Sequence, residues 1–192
     1  MSFTSALRTT FALALLAVPA QAQMRVFGGT APRMAATRIF FEGGLKGMVC
    51  VQYGQPEWKS EYDALDSFKG KSVRLGKDYW TTLNTSVALD FAGTKVPAGS
   101  YYLGLRCDAG GDFEILVLRA EAADKAGMAP FFPEAWKPDH VIAMKHAASE
   151  KSTDKLTIDL NVDEKDPSQM SLVLSWGKHV LTSGAKVQFA TG

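Results

Sequence analysis

The chain has 192 residues, 46% of them hydrophobic, 21% charged and 10% aromatic, which is ordinary globular composition and excludes a disordered or collagen-like polymer. Twenty-one Lys and Arg residues against twenty Asp and Glu leave a formal net charge of +1. That balance provides neither the basic footprint of a nucleic-acid-binding protein nor a polybasic membrane anchor.

Residues 1–22 carry one cation, Arg8, then an apolar run from Phe11 to Val18, then Pro19 and the small-residue tripeptide Ala20-Gln21-Ala22 before Gln23. This is the tripartite pattern of a cleavable signal peptide. The apolar run is far shorter than the ~20 residues that span a bilayer, and no later segment is long and apolar enough to do so. No Cys lies near the cleavage point to accept a lipid anchor. The expected location is periplasmic or extracellular, with no membrane span in the mature chain. Residues 23–36 show no clear period and read as a flexible N-terminal arm. Residues 37–192 read as a single domain.

Within that domain, alternation with period 2 dominates, the signature of half-buried strands. Val49, Val51 and Tyr53 share one face of the 47–53 segment. Trp80 opens a Thr-rich strand. Val87, Leu89 and Phe91 lead through Gly93-Thr94 to Lys95-Val96, and Pro97-Ala98-Gly99 turns the chain into a strand over 100–107. A turn at 108–112 precedes a strand over 113–119. Ala120–Ala126 has helix-favouring residues for about two turns, and Gly127 ends them. Pro130, Pro133 and Pro138 then exclude regular structure over 129–139. Leu156, Ile158, Leu160 and Val162 alternate with polar residues, as do Met170, Leu172, Leu174 and Trp176, and the polar 163–168 run joins the two as a hairpin. Trp176, in phase with Leu172 and Leu174, reads as core. Two short strands, 179–182 and 186–189, are expected around Ser183-Gly184. The fold class is all-β: an antiparallel β-sandwich, or a partly closed barrel, with one short helix.

Two cysteines in an oxidising compartment suggest a Cys50–Cys107 disulfide. Strand parity argues against it, because Cys50 opposes the Val49–Val51 face whereas Cys107 shares the face of Tyr101, Leu103 and Leu105. Both readings stand at this stage.

Signatures of common chemistries are absent: there is no G-x-S-x-G, H-E-x-x-H, P-loop or G-x-G-x-x-G motif. No catalytic residue, metal ligand or cofactor is assigned. His140 and His146 share a strand parity about 20 Å apart, too far for one metal ion, and His179 can join only one of them. Glu57, Glu61, Asp63, Asp66, Asp78 and Asp112 fall in loops, where sequence alone does not pair them as glycosidase chemistry needs. The aromatic residues offer more. Trp58 with Lys59, Trp80, and Trp136 with His140 beyond it are the candidate ligand-binding residues, because a loop indole either stacks on a flat ligand or closes the end of a core.

Four segments carry a family resemblance: VCVQYGQPEWK (49–59), YWTTLNT (79–85), LDFAGTKVPAGSYYL (89–103) and LVLSWG (172–177). In this order they resemble the domain-of-unknown-function family 2911, secreted or periplasmic bacterial proteins without an established activity. The resemblance spans most of the mature chain and implies secretion and a β-rich fold. After Trp80 the family pattern is Trp-Arg-Thr-Gly-Ala-Asn, whereas Thr81-Thr82-Leu83-Asn84 stands here, so no catalytic role is transferred. The leading functional expectation is a non-enzymatic domain that binds a small molecule, a glycan or an envelope protein. An extracytoplasmic hydrolase using loop carboxylates or histidines, and a structural or assembly component, are the alternatives.

Overall fold

Alternating apolar residues form ten strands and one short helix in the computed structural model, which describes residues 32–189. The strands are β1 (Met34–Phe41), β2 (Leu45–Tyr53), β3 (Lys71–Arg74), β4 (Thr81–Thr85), β5 (Ala88–Phe91), β6 (Thr94–Val96), β7 (Gly99–Cys107) and β8 (Phe113–Arg119). The helix α1 (Ala120–Lys125) follows, then β9 (His140–Val162) and β10 (Gln169–Gln188). The signal-peptide segment and residues 23–31 of the expected arm lie outside the described residues. The end of that arm is not loose: Met34, Ala35 and Ala36 already pair with Tyr53, Gln52 and Val51 of β2.

All ten strands belong to one antiparallel sheet with the order β1-β2-β4-β7-β8-β9-β10-β5-β6, and β3 pairs with the far half of β7. β1 and β6 are its open edges, so the sheet does not close. It curls until its inner face meets itself. Val49 and Val51 of β2, Leu83 of β4, Leu103 of β7 and Ile115 of β8 enclose one small void of about 10 Å³ together with Leu89 and Phe91 of β5, Leu160 of β9, and Met170 and Leu172 of β10. These residues belong to a single large apolar cluster, the main core.

The long hairpin of β9 and β10 makes this curl possible. Near the turn, Met170 to Ser175 pair with Val162 to Thr157, and farther along His179 to Thr182 pair with Ala148 to Lys145. Between the two stretches the register shifts around Gly177, which has φ +59°. The extra residues there bend the pair and switch which parity faces inward. Leu172 and Leu174 are buried before the bulge, and Leu181, Ala185 and Val187 after it. The two short strands expected at 179–182 and 186–189 are therefore parts of one strand, and Ser183-Gly184 is not a turn.

A second, smaller cluster lies on the outer face. Leu116 and Leu118 of β8 project there and are covered by Trp80 and Trp136, with Tyr102, Met128 and Val141 packed around them. The proline-containing 129–139 stretch is irregular, as its composition requires, yet it forms a cover. Gly104 makes room for it, since a side chain at that position would run into the six-membered ring of Trp136.

Candidate functional site

Residues at the border of the main core line a cavity of about 340 Å³. The size lies within the range of small-molecule pockets. Its floor is apolar, built from Leu75, Leu105, Phe113, Leu156, Leu174 and Leu181. Its remaining wall comes from the segment between β2 and β3, which contributes Pro56, Trp58, Tyr62, Leu65 and Phe68.

This segment is positioned by main-chain pairing. β8 pairs only with the first residues of β9, so the far part of β9 presents an unsatisfied edge. Tyr53 and the residues after it cover that edge. The Tyr53 hydroxyl accepts the Ile158 N–H at 3.0 Å and donates to the Ile158 carbonyl at 3.4 Å. Burial pushes the Tyr53 phenol above its ordinary pKa. Gln55 Nε2 donates to the Leu156 carbonyl, the Leu156 N–H to the Pro56 carbonyl, and the Trp58 N–H to the Asp154 carbonyl at 2.7 Å. Edge groups that would otherwise lack partners thus hold Trp58 in place.

The aromatic side chains pack mainly edge to face. Trp58 meets Trp176 at a centroid distance of 5.0 Å and 88°, and Tyr62 at 5.6 Å and 70°. Tyr62 also contacts Trp176 at 4.8 Å and Phe68 at 6.1 Å. Trp176 Nε1 donates to the Pro56 carbonyl at 3.1 Å, which ties β10 to the covering segment. The indole of Trp58 lies against the bare Cα of Gly177. Trp176, expected in the core, packs against it half-buried and also lines the cavity.

Two imidazoles supply the polar part of the lining. His146 Nε2 and His179 Nδ1 stand 3.1 Å apart, with Phe113 5.8 Å from the His146 ring and Trp58 5.3 Å from the His179 ring. Burial, reinforced by the neighbouring His146, lowers the pKa of His179, while the charge of Asp63 opposes that shift. Arg74 borders the cavity, but its guanidinium lies over the Phe131 ring and donates to the Asp78 carbonyl. Among the described residues, no carboxylate, serine, threonine or cysteine lines this cavity.

The structure separates the candidates taken from the sequence. Trp58 forms part of the cavity wall. Lys59 next to it is exposed and pairs with Glu61 at 3.6 Å, outside the lining. Trp80 and Trp136 are only 1% and 8% exposed and belong to the outer-face cluster, so they do not offer a stacking platform. Trp80 stacks on Tyr102 at 4.9 Å and 3°, and Trp136 Nε1 donates to the Ala129 carbonyl. His140 lies beside Tyr101, apart from the cavity. Cys50 and Cys107 are free thiols. Sequence reasoning missed His146, His179, Tyr62 and Phe68. The available signal was that His179 could partner one of the other two histidines, and the hairpin register selects His146.

No family model, curated protein or solved structure matches this chain.

Proposed function

We propose that this is an exported, non-enzymatic β-sandwich domain whose end cavity binds a small apolar molecule. The observation that carries the reading is the cavity itself: a concave, largely apolar space walled by Trp58, Tyr62, Phe68 and Trp176, with two imidazoles as its polar contacts. Such a site buries a flat hydrophobic body and orients it through one or two hydrogen bonds. A glycan fits less well, because sugar stacking needs an aromatic face presented to solvent, whereas these rings are packed against one another. Export is supported by the signal-peptide pattern of residues 1–22.

The hydrolase reading has one point in its favour, the convergence of two histidines. Among the described residues the lining holds no carboxylate, serine or cysteine, so the imidazoles have no protein nucleophile beside them to activate.

The test uses 1-anilinonaphthalene-8-sulfonate as an apolar fluorescent probe, with the folded state verified by a cooperative urea transition. Saturable enhancement at one equivalent is expected for the wild type. Trp58→Ala, which removes a wall, and Val73→Phe, which fills the space from β3, should each weaken binding tenfold or more. Absence of saturable binding, or binding by both variants as tight as by the wild type, would refute the assignment.

A further inference from the structure

The cavity mouth holds a second feature whose chemistry does not depend on any organic ligand. In the pairing of β9 with β10, His146 lies opposite Leu181 and His179 opposite Ala148. The two imidazoles are therefore diagonal neighbours on one face of the strand pair, within reach of each other. Their facing nitrogens are 3.1 Å apart and their ring centroids 5.2 Å apart. Phe113 flanks one ring and Trp58 the other.

This spacing suits a metal ion as well as it suits a shared proton. Two nitrogen donors at about 2.05 Å from one ion lie about 2.9 Å apart for a right-angled arrangement and about 3.3 Å apart for a tetrahedral one. The observed 3.1 Å falls between them. Metal binding requires each imidazole to carry its proton on its other nitrogen, His146 on Nδ1 and His179 on Nε2, and a modest rotation to aim both lone pairs at one point. The donor type selects the ion: imidazole favours zinc, copper, nickel or cobalt over magnesium or calcium.

We propose that His146 Nε2 and His179 Nδ1 form a two-histidine site for a divalent transition-metal ion at the mouth of the cavity. Among the described residues no third His, Cys, Asp or Glu completes a larger ligand group. Water fills the remaining positions on the exposed His146 side. With two protein donors the site is weaker than a three- or four-ligand zinc centre and keeps coordination positions open. This inference is independent of the apolar-ligand reading and stands or falls on metal binding alone.

The experiment titrates the full chain with Zn²⁺ by calorimetry and with Cu²⁺ by tryptophan fluorescence, since Trp58 lies beside His179. One equivalent of each metal should bind, with Cu²⁺ quenching the emission. His146→Ala should weaken both by tenfold or more, and His140→Ala should leave both unchanged. His146 is exposed, so its substitution leaves the core intact, which near-UV circular dichroism checks. Imidazole NMR of the wild type supplies a readout that needs no variant: Zn²⁺ should shift the His146 and His179 signals and leave His140 in place. No binding by the wild type, undiminished binding by His146→Ala, or a shift confined to His140 would overturn the proposal.

Discussion

Gly177 shows how much of the site depends on one residue without a side chain. Its φ of +59° is a conformation that costs an L-residue about 1–2 kcal/mol, and a Cβ there would run into the Trp58 indole. Gly177→Ala therefore combines backbone strain with displacement of a cavity wall. The expected outcome is a loss of at least that backbone penalty in urea denaturation, together with a weaker near-UV signal from the Trp58–Trp176 pair. An unchanged midpoint and spectrum would mean that Trp58 does not rest on this glycine. The sequence pointed to Trp58 because an indole on a loop has few uses, but it could not separate Trp58 from Trp80 and Trp136. What distinguishes them is tertiary: Trp58 packs across an incompletely filled end of the core, whereas Trp136 belongs to the 120–139 cover and Trp80 packs against it in the outer-face cluster.

Among the elements, those with a local signal were legible and those specified by distant partners were not. The turns at 108–112 and 163–168, the helix stopped by Gly127, and the alternation in β7, the far part of β9 and the first part of β10 all follow from neighbouring residues. From the sequence, one strand ends at Trp176 and the next breaks at Ser183-Gly184. The first break coincides with the change of inward parity at Gly177, from Leu174 to Leu181, and a change of phase at a glycine is the signature of a bulge; at the second the inward parity runs on through Leu181, Ser183, Ala185 and Val187. The outer cover could not be read, since a proline-rich stretch has no period and its burial depends on the matching gap at Gly104. α1 fastens this cover through the Tyr102 hydroxyl, which donates to the Asp124 carboxylate at 2.9 Å. Burial, then that hydrogen bond and the Asp124 charge, push the Tyr102 pKa up to about 12. A folded pKa above the unfolded value of 10.0 means that the fold favours the neutral phenol. Its stabilisation is complete below pH 10 and is lost as the pH rises through about 12. Tyr102→Phe should be less stable than the wild type at pH 8, and the two should converge between pH 10 and 12. Parallel stability curves across that range would dissociate Tyr102 from the attachment of α1.

At the scale of the whole molecule, strand order decides which residues meet, and the cysteines and histidines illustrate opposite outcomes. His146 and His179 are 33 positions apart in sequence and touch, because β9 and β10 are partners. Cys50 and Cys107 sit in the same sheet and do not. Cys50 pairs with Asn84 of β4, Asn84 with Ser100 of β7, and Cys107 lies seven positions farther along β7. At about 3.3 Å per residue that offset is roughly 23 Å, well beyond the ~7 Å limit between Cα atoms for a disulfide. The faces differ as well: Cys107 belongs to the main core, whereas the half-buried Cys50 receives a hydrogen bond from Thr37 Oγ1. Burial, with the charge of Asp108, raises the Cys107 thiol pKa and makes it a poorer nucleophile. Protein recovered from an oxidising compartment should thus titrate with two thiols in denaturant. Under native conditions Cys50 should react with a thiol reagent first, Cys107 should react only on unfolding, and reductant should leave the melting temperature unchanged. A count of zero thiols in denaturant, from a monomer that reductant destabilises, would require a different register of β2, β4 and β7 and with it a different core.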